Sequence, residues 1–163
     1  MVEPGRDEVD ALVDAWRRER PDLDTAPMEV LSRISRLAHH LDRRRAGAFG
    51  AHGLEAWEFD VLAALRRSGP PYHLTPGQLV RETGVTSGTM TNRVDRLAAR
   101  GLVSREEHPA DGRGVLVRLT EEGRETVDAT LADLLTAERV MLDGLTEADR
   151  AQLVRTLRGL LSR

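Results

Sequence analysis

The 163-residue chain contains no cysteine. Disulfides, thiolate metal sites and cysteine redox switches are thereby excluded, so any signal it senses is non-covalent or carried by a metal on other ligands. Lysine is absent as well: the 24 basic residues are all arginine, a pattern that reflects codon composition more than chemistry. No apolar run approaches the roughly 18 residues that a membrane span needs, and Met1-Val2-Glu3-Pro4 opens no signal peptide, so a cytoplasmic chain without membrane contact is expected. Catalytic signatures are missing too. His39, His40, His52, His73 and His108 form no HExxH or other spaced ligand set, and the adjacent His39 and His40 point about 100° apart on a helix. There is no Gly-rich phosphate loop and no GxSxG. The expectation is a protein that is not an enzyme and holds no cofactor, with zinc on converging histidines and acids kept as an alternative.

What is present is a stretch of alternating signals between Leu74 and Thr120. Thr75-Pro76-Gly77-Gln78 opens a helix with capping-box spacing: Thr75 as N-cap, Pro76 at the first helical position and Gln78 reaching back. Leu79 and Val80 give its apolar side, Gly84-Val85 a turn, and Thr86 or Ser87 caps a second helix that Gly101 stops near residue 100. Met90, Val94, Leu97 and Ala98 recur at helical spacing on one face of that second helix. The opposite face carries Gly88, Thr89, Asn92, Asp95, Arg96 and Ala99, with Ser87 and Thr91 near its start. Short and hydrogen-bonding side chains suit a helix that enters a DNA major groove, and Asn and Arg reach base edges and phosphates.

Two β-favouring runs, residues 102–105 and 115–119, follow on either side of a segment, 106–114, that holds Pro109, Asp111, Gly112 and Gly114. They predict a hairpin too long for a two-residue turn. Arg113 at its tip suits a wing entering a narrow minor groove, with Asp111 orienting it. The net charge of −3 argues against indiscriminate nucleic-acid binding, but residues 75–118 hold seven arginines against five acids, a modest local excess of positive charge. The fold class expected is mainly α with a small β-hairpin wing (α+β): a winged helix-turn-helix flanked by dimerisation helices. Its divisions are residues 1–53 (N-terminal helices), 54–119 (the winged helix-turn-helix) and 120–163 (C-terminal helices).

Val85-Thr86-Ser87-Gly88-Thr89-Met90-Thr91-Asn92-Arg93, Gly101-Leu102-Val103 and the pattern Asp111-x-Arg113-Gly114 resemble the MarR family of transcriptional regulators. Trp16, Arg20-Pro21-Asp22-Leu23-Asp24, Phe59-Asp60-Val61-Leu62 and Gly69-Pro70-Pro71-Tyr72-His73-Leu74-Thr75-Pro76 extend the resemblance to its urate-responsive, HucR- and PecS-like branch, and together they cover nearly the whole chain. The resemblance implies an effector site made of an N-terminal-helix tryptophan, an aspartate before the helix-turn-helix and two arginines in and after the recognition helix. The matching residues here are Trp16, Asp60, Arg93 and Arg105. It also implies a homodimer on an inverted-repeat operator, released by a small anion such as urate.

Outside the winged helix the pattern is helical. Val9, Leu12, Val13 and Trp16 share one face of a helix over 7–19, on which Trp16 also reads as plain packing. A turn at 21–25 precedes a long helix over 27–49, with Pro27 at its first position and a buried stripe of Val30, Leu31, Ile34, Leu37, Ala38 and Leu41. Arg43-Arg44-Arg45 on its polar side reads as solvated surface or as a phosphate contact. The helix over 53–67 buries Trp57, Val61, Ala64 and Leu65, and Asp60 falls on the rim of that face, where a structural salt bridge is the simplest account. Arg93 lies about 60° from Met90, at the buried edge of the recognition helix.

After the wing, Val127, Leu131, Leu134, Leu135, Val140 and Met141 stripe a helix over 120–142, and Leu153, Leu157, Leu160 and Leu161 a last one over 145–161. A lone winged helix does not need these faces, so a dimer interface is expected of them. Other purines, a small polycarboxylate or zinc as effector, and a winged-helix module docking another protein, stay open as alternatives.

Overall fold

The computed structural model describes the backbone of residues 5–108 and 111–162, and the side chains of these apart from 108 and 111–113. Its elements run α1 (Glu8–Glu19), α2 (Ala26–Ala51), α3 (Ala56–Arg67), β1 (His73–Leu74), α4 (Pro76–Thr83), α5 (Ser87–Ala99), β2 (Val103–His108), β3 (Asp111–Leu119), α6 (Glu121–Met141) and α7 (Glu147–Leu161). Residues 1–43 and 44–163 form two separate units.

In the first unit, Asp7 caps α1 by accepting from the Val9 and Asp10 amides, while the Asp10 carboxylate accepts from the Asp7 amide. Arg33 of α2 then clamps this N-terminus, donating to both Asp7 and Asp10 at 2.8 Å. The pairing holds the Asp7 carboxyl well down, at about 2. Val9 and Val13 are buried as their spacing predicts. α2 begins at Ala26, so Pro27 is its second residue. The stripe expected to be buried on α2 is not: Val30, Leu31, Ile34 and Leu37 are between 37% and 59% exposed. Periodicity identifies an apolar face but not what covers it, and among the described residues of its unit nothing does so.

The second unit is built on α3. Val61, Leu62, Ala63, Ala64 and Leu65 are all buried, so this helix is enclosed nearly all round and not on one stripe alone. Against it pack Leu79 of α4, Met90, Val94 and Leu97 of α5, and Leu102, Val103, Val117 and Leu119 around the sheet. Phe49, at the end of α2, stacks on Phe59 with centroids 4.7 Å apart. The expected cap of α4 is present in full: Thr75 accepts from the Gln78 amide and Gln78 accepts from the Thr75 amide. Gly84 ends α4 at φ 69°, a left-handed conformation that glycine adopts without a Cβ penalty. Thr86 caps α5.

The hairpin differs from its expectation. β2 and β3 pair antiparallel from Val103↔Leu119 to His108↔Asp111, with an irregularity at Glu107/His108, so only residues 109 and 110 lie between the strands. Backbone pairing carries the ladder through Glu106 and Glu107, where no apolar pattern marks a strand. β1, which propensity does not announce, adds a third strand on the other side of β3, pairing His73 with Arg118 and Leu74 with Val117. α6 buries Val127 and Leu134 but leaves Leu131, Leu135 and Val140 exposed, and α7 buries nothing.

Candidate functional site

α5 presents the face its sequence predicts. Met90, Val94 and Leu97 fix the helix to the core, which leaves Ser87, Gly88, Thr89, Thr91, Asn92 and Arg96 exposed on the far side. The Thr86 and Thr89 hydroxyls lie 2.9 Å apart, and the Thr91 hydroxyl donates to the Ser87 carbonyl at 3.1 Å, so two of the short side chains are satisfied within the first turn. Asn92 has no such tie among the described residues. Arg113 and Asp111, assigned to the wing tip, have side chains outside the described residues; their backbone belongs to β3.

Two ion pairs set the pose of α5. Glu58 of α3 is only 2% exposed; its carboxylate accepts from the Glu55 amide and from Arg100, at the end of α5, at 2.6 Å. A buried carboxylate needs such partners, because an unpaired charge there is strongly destabilising. Arg105 of β2, assigned to the effector site, pairs with Asp95 of α5 at 2.7 Å, with both groups largely exposed. The putting together of Arg105 and the recognition helix is thus direct, through a residue that had been placed only on its polar face.

A third cluster was not foreseen. Glu55, just before α3, accepts from the Trp57 indole N–H at 2.8 Å and from Arg96 at 2.7 Å. The indole N–H and then the Arg96 guanidinium hold the Glu55 carboxyl below its ordinary range, so it is charged at neutral pH. The Arg96 guanidinium lies over the Trp57 ring, 4.6 Å from its centroid, and that of Arg93 lies over the same ring at 5.3 Å. Trp57, Arg93 and Arg96, with Gly88, Thr89 and Asn92, line a shallow cavity of about 470 Å³. Trp57 had been read only as part of an apolar face. The available signal was its position three residues before Asp60, which puts both toward the same side of α3.

Of the residues matched to the effector site, Arg93 is half-buried and has no carboxylate partner among the described residues of its unit. Asp60 is exposed and lacks the structural salt bridge that its rim position suggested, for within its unit no described arginine pairs with it. Its flank of α3 is the one that the core leaves uncovered. Trp16, in the first unit, is 45% exposed. Among the described residues no group of three histidines or acids is arranged to hold a metal ion. Nor, among them, is any helix long and apolar enough to cross a membrane.

The chain is similar in sequence and fold to known proteins. Residues 52–114 match the MarR family. The transcriptional regulator PecS of Dickeya dadantii is 38% identical over 156 residues, which span 96% of this chain and 92% of PecS. The transcriptional repressor NicR of Pseudomonas putida is 29% identical over 143 residues, 85% of this chain and 89% of NicR. Among solved structures, BpsR of Bordetella bronchiseptica, whose DNA binding is regulated by 6-hydroxynicotinic acid, superposes with a TM-score of 0.61 at 29% identity, covering 80% of this chain and 94% of BpsR. Wild-type MarR of E. coli superposes with a TM-score of 0.67 at 28% identity over 80% of this chain and 96% of MarR. These relatives are regulators of transcription and not enzymes. The chain belongs to the MarR family of winged helix-turn-helix, DNA-binding transcription regulators.

Proposed function

We propose that this regulator is a homodimeric repressor that holds an inverted-repeat operator through α5 and the wing and lets it go when a small planar anion, urate or a close purine, binds beside the recognition helix. The observation that carries the reading is Arg93: a half-buried cation on the helix that reads DNA, with no carboxylate partner among the described residues of its unit. A desolvated guanidinium favours an anion in charge-assisted hydrogen bonds.

Arg105 supplies one route to release. While it pairs with Asp95 it neutralises an acid on α5. An anion that draws Arg105 away leaves the Asp95 carboxylate facing the DNA phosphates, and binding weakens. Asp60 opposes the arriving anion, and Trp16 offers it an indole N–H or a stacking face. BpsR, a relative at 29% identity, is regulated by a planar hydroxylated heteroaromatic acid, which is chemistry of the same kind. On DNA, Ser87, Gly88, Thr89, Thr91, Asn92 and Arg96 meet the major groove and Arg113 the minor groove. Two-fold symmetry sets the half-sites about 10 base pairs apart.

Urate binding to the free protein, followed by Trp16 emission, tests the effector assignment. Arg93→Ala and Arg105→Ala are expected to weaken urate roughly tenfold or more, the worth of a charge-assisted hydrogen bond of about 1.5–3 kcal/mol, and Trp16→Ala to remove the Trp16 part of the optical response, leaving that of Trp57. If Trp16→Ala, Asp60→Asn and Arg93→Ala all respond as the parent does, the assignment fails. Arg113→Ala is expected to lower operator affinity with little change in base preference, whereas Asn92→Ala changes the preference itself. Equal binding by Arg113→Ala and the parent at physiological salt excludes a wing contact.

A further inference from the structure

Trp57 carries two guanidiniums on one ring, and they belong to the two functions proposed above: Arg93 to the effector site and Arg96 to the DNA-reading face. Resting on that reading, we infer that Trp57 is a further residue through which the anion acts on the DNA-reading surface, by deciding how firmly Arg96 is withheld from DNA.

The argument is electrostatic. An indole face attracts a guanidinium, but two like charges over one ring repel each other. Glu55 relieves this for Arg96 alone, at 2.7 Å, and its other oxygen is fixed by the Trp57 N–H at 2.8 Å. Arg93 has no corresponding carboxylate within its unit. An anion on Arg93 therefore removes the repulsion, and Arg96 settles onto the ring and Glu55. The side chain that should reach a base edge or phosphate is then held back, and the operator is bound more weakly. Linkage requires the converse. DNA that pulls Arg96 off the indole leaves the ring to Arg93, which stacks there and is less available to the anion. Trp57, Arg93 and Arg96 line one cavity and Glu55 lies in the same unit, so no long relay is needed.

The readout is the ratio of operator affinities without and with saturating urate, measured on the full-length protein with an inverted-repeat duplex selected by the protein from a random pool. The parent is expected to show a ratio of at least about tenfold, within the ordinary range of allosteric coupling. In Trp57→Leu, which removes the shared ring and leaves the Arg105–Asp95 pair, the ratio falls to about a third of the parent's or less while urate binding to the free protein, followed by calorimetry, persists. Trp57→Phe keeps an aromatic ring but cannot donate to Glu55, and its ratio falls between the two; it is the deciding variant should the leucine form fail to fold. A Trp57→Leu or Trp57→Phe protein that keeps the parent's ratio overturns the inference and leaves the functional reading standing. A parent whose operator affinity ignores urate overturns that reading, and the inference with it.

Discussion

Arg96 has one guanidinium and two claims on it. Glu55 holds it at 2.7 Å in a pair exposed on both sides, and such pairs are weak, so DNA can break it, but at a cost in operator affinity. The Trp57 N–H and the Arg96 guanidinium keep the Glu55 carboxyl ionised below its ordinary range, so the competition operates throughout the neutral region. Replacing Glu55 by Gln removes the claim and a negative charge beside the DNA-reading face. Glu55→Gln is therefore expected to bind the operator roughly two- to fivefold tighter at moderate salt, as read by titration of labelled duplex. Weaker binding would mean that Glu55 presents Arg96 to DNA and does not withhold it.

Asp7 offers a second residue-level test. Its carboxyl is held at about 2, first by Arg33 and then by the Asp10 and Val9 amides. A depressed folded-state value means that the contribution is complete above the unfolded value of 3.8 and is lost as pH falls toward about 2. In an NMR titration the Asp7 carboxyl is expected to have its midpoint near 2, and Arg33→Ala to bring it back toward an ordinary carboxylate value. An Asp7 midpoint already ordinary in the parent would remove the Arg33 clamp from the account of α1.

At the scale of elements, the contact between α6 and the turn after α5 depends on one missing side chain. Gly123, in the first turn of α6, is buried, and a Cβ built there would lie 2.0 Å from the Leu102 carbonyl oxygen and 3.0 Å from Leu119. Alanine is the better helix former by up to about 1 kcal/mol. Helix propensity and packing thus predict opposite signs. Gly123→Ala is expected to destabilise the protein by about 2–3 kcal/mol, in the range of overpacked cores, and denaturant unfolding measures it. A neutral or stabilising result would mean that α6 does not approach Leu102 so closely.

Local signals in this chain were legible, and pairings between distant residues were not. The Thr75/Gln78 cap and the Met90, Val94, Leu97 stripe are set by residues three or four apart, and both stand in the structure where the spacing puts them. β1 is two residues long and exists only because β3 lies beside it. The wing strands extend over charged residues for the same reason, since a ladder needs a partner backbone more than a hydrophobic pattern. Arg105 with Asp95 and Arg96 with Glu55 are ion pairs of large sequence separation, which no local periodicity reports. Glu58 had no role in the sequence reading because a carboxylate between apolar neighbours gives no sign of the arginine, 42 residues away, that makes its burial tolerable.

At the scale of the molecule, the question is what covers the apolar faces. α2 exposes Val30, Leu31, Ile34 and Leu37, and α7 exposes Leu153, Val154, Leu157 and Leu160. The homodimer proposed above would cover faces of this kind in an isologous interface between two copies. Sedimentation at micromolar concentration is expected to give a particle of twice the 18.1 kDa chain mass. A folded particle of single-chain mass would exclude the dimer and, with it, an inverted-repeat site.

The most direct test of the whole account is to titrate urate into the protein–operator complex, following the anisotropy of the labelled duplex and the emission of Trp16 together. The account predicts that sub-millimolar urate frees the duplex and changes Trp16 emission over the same concentration range. Anisotropy and emission both unmoved at millimolar urate would contradict it.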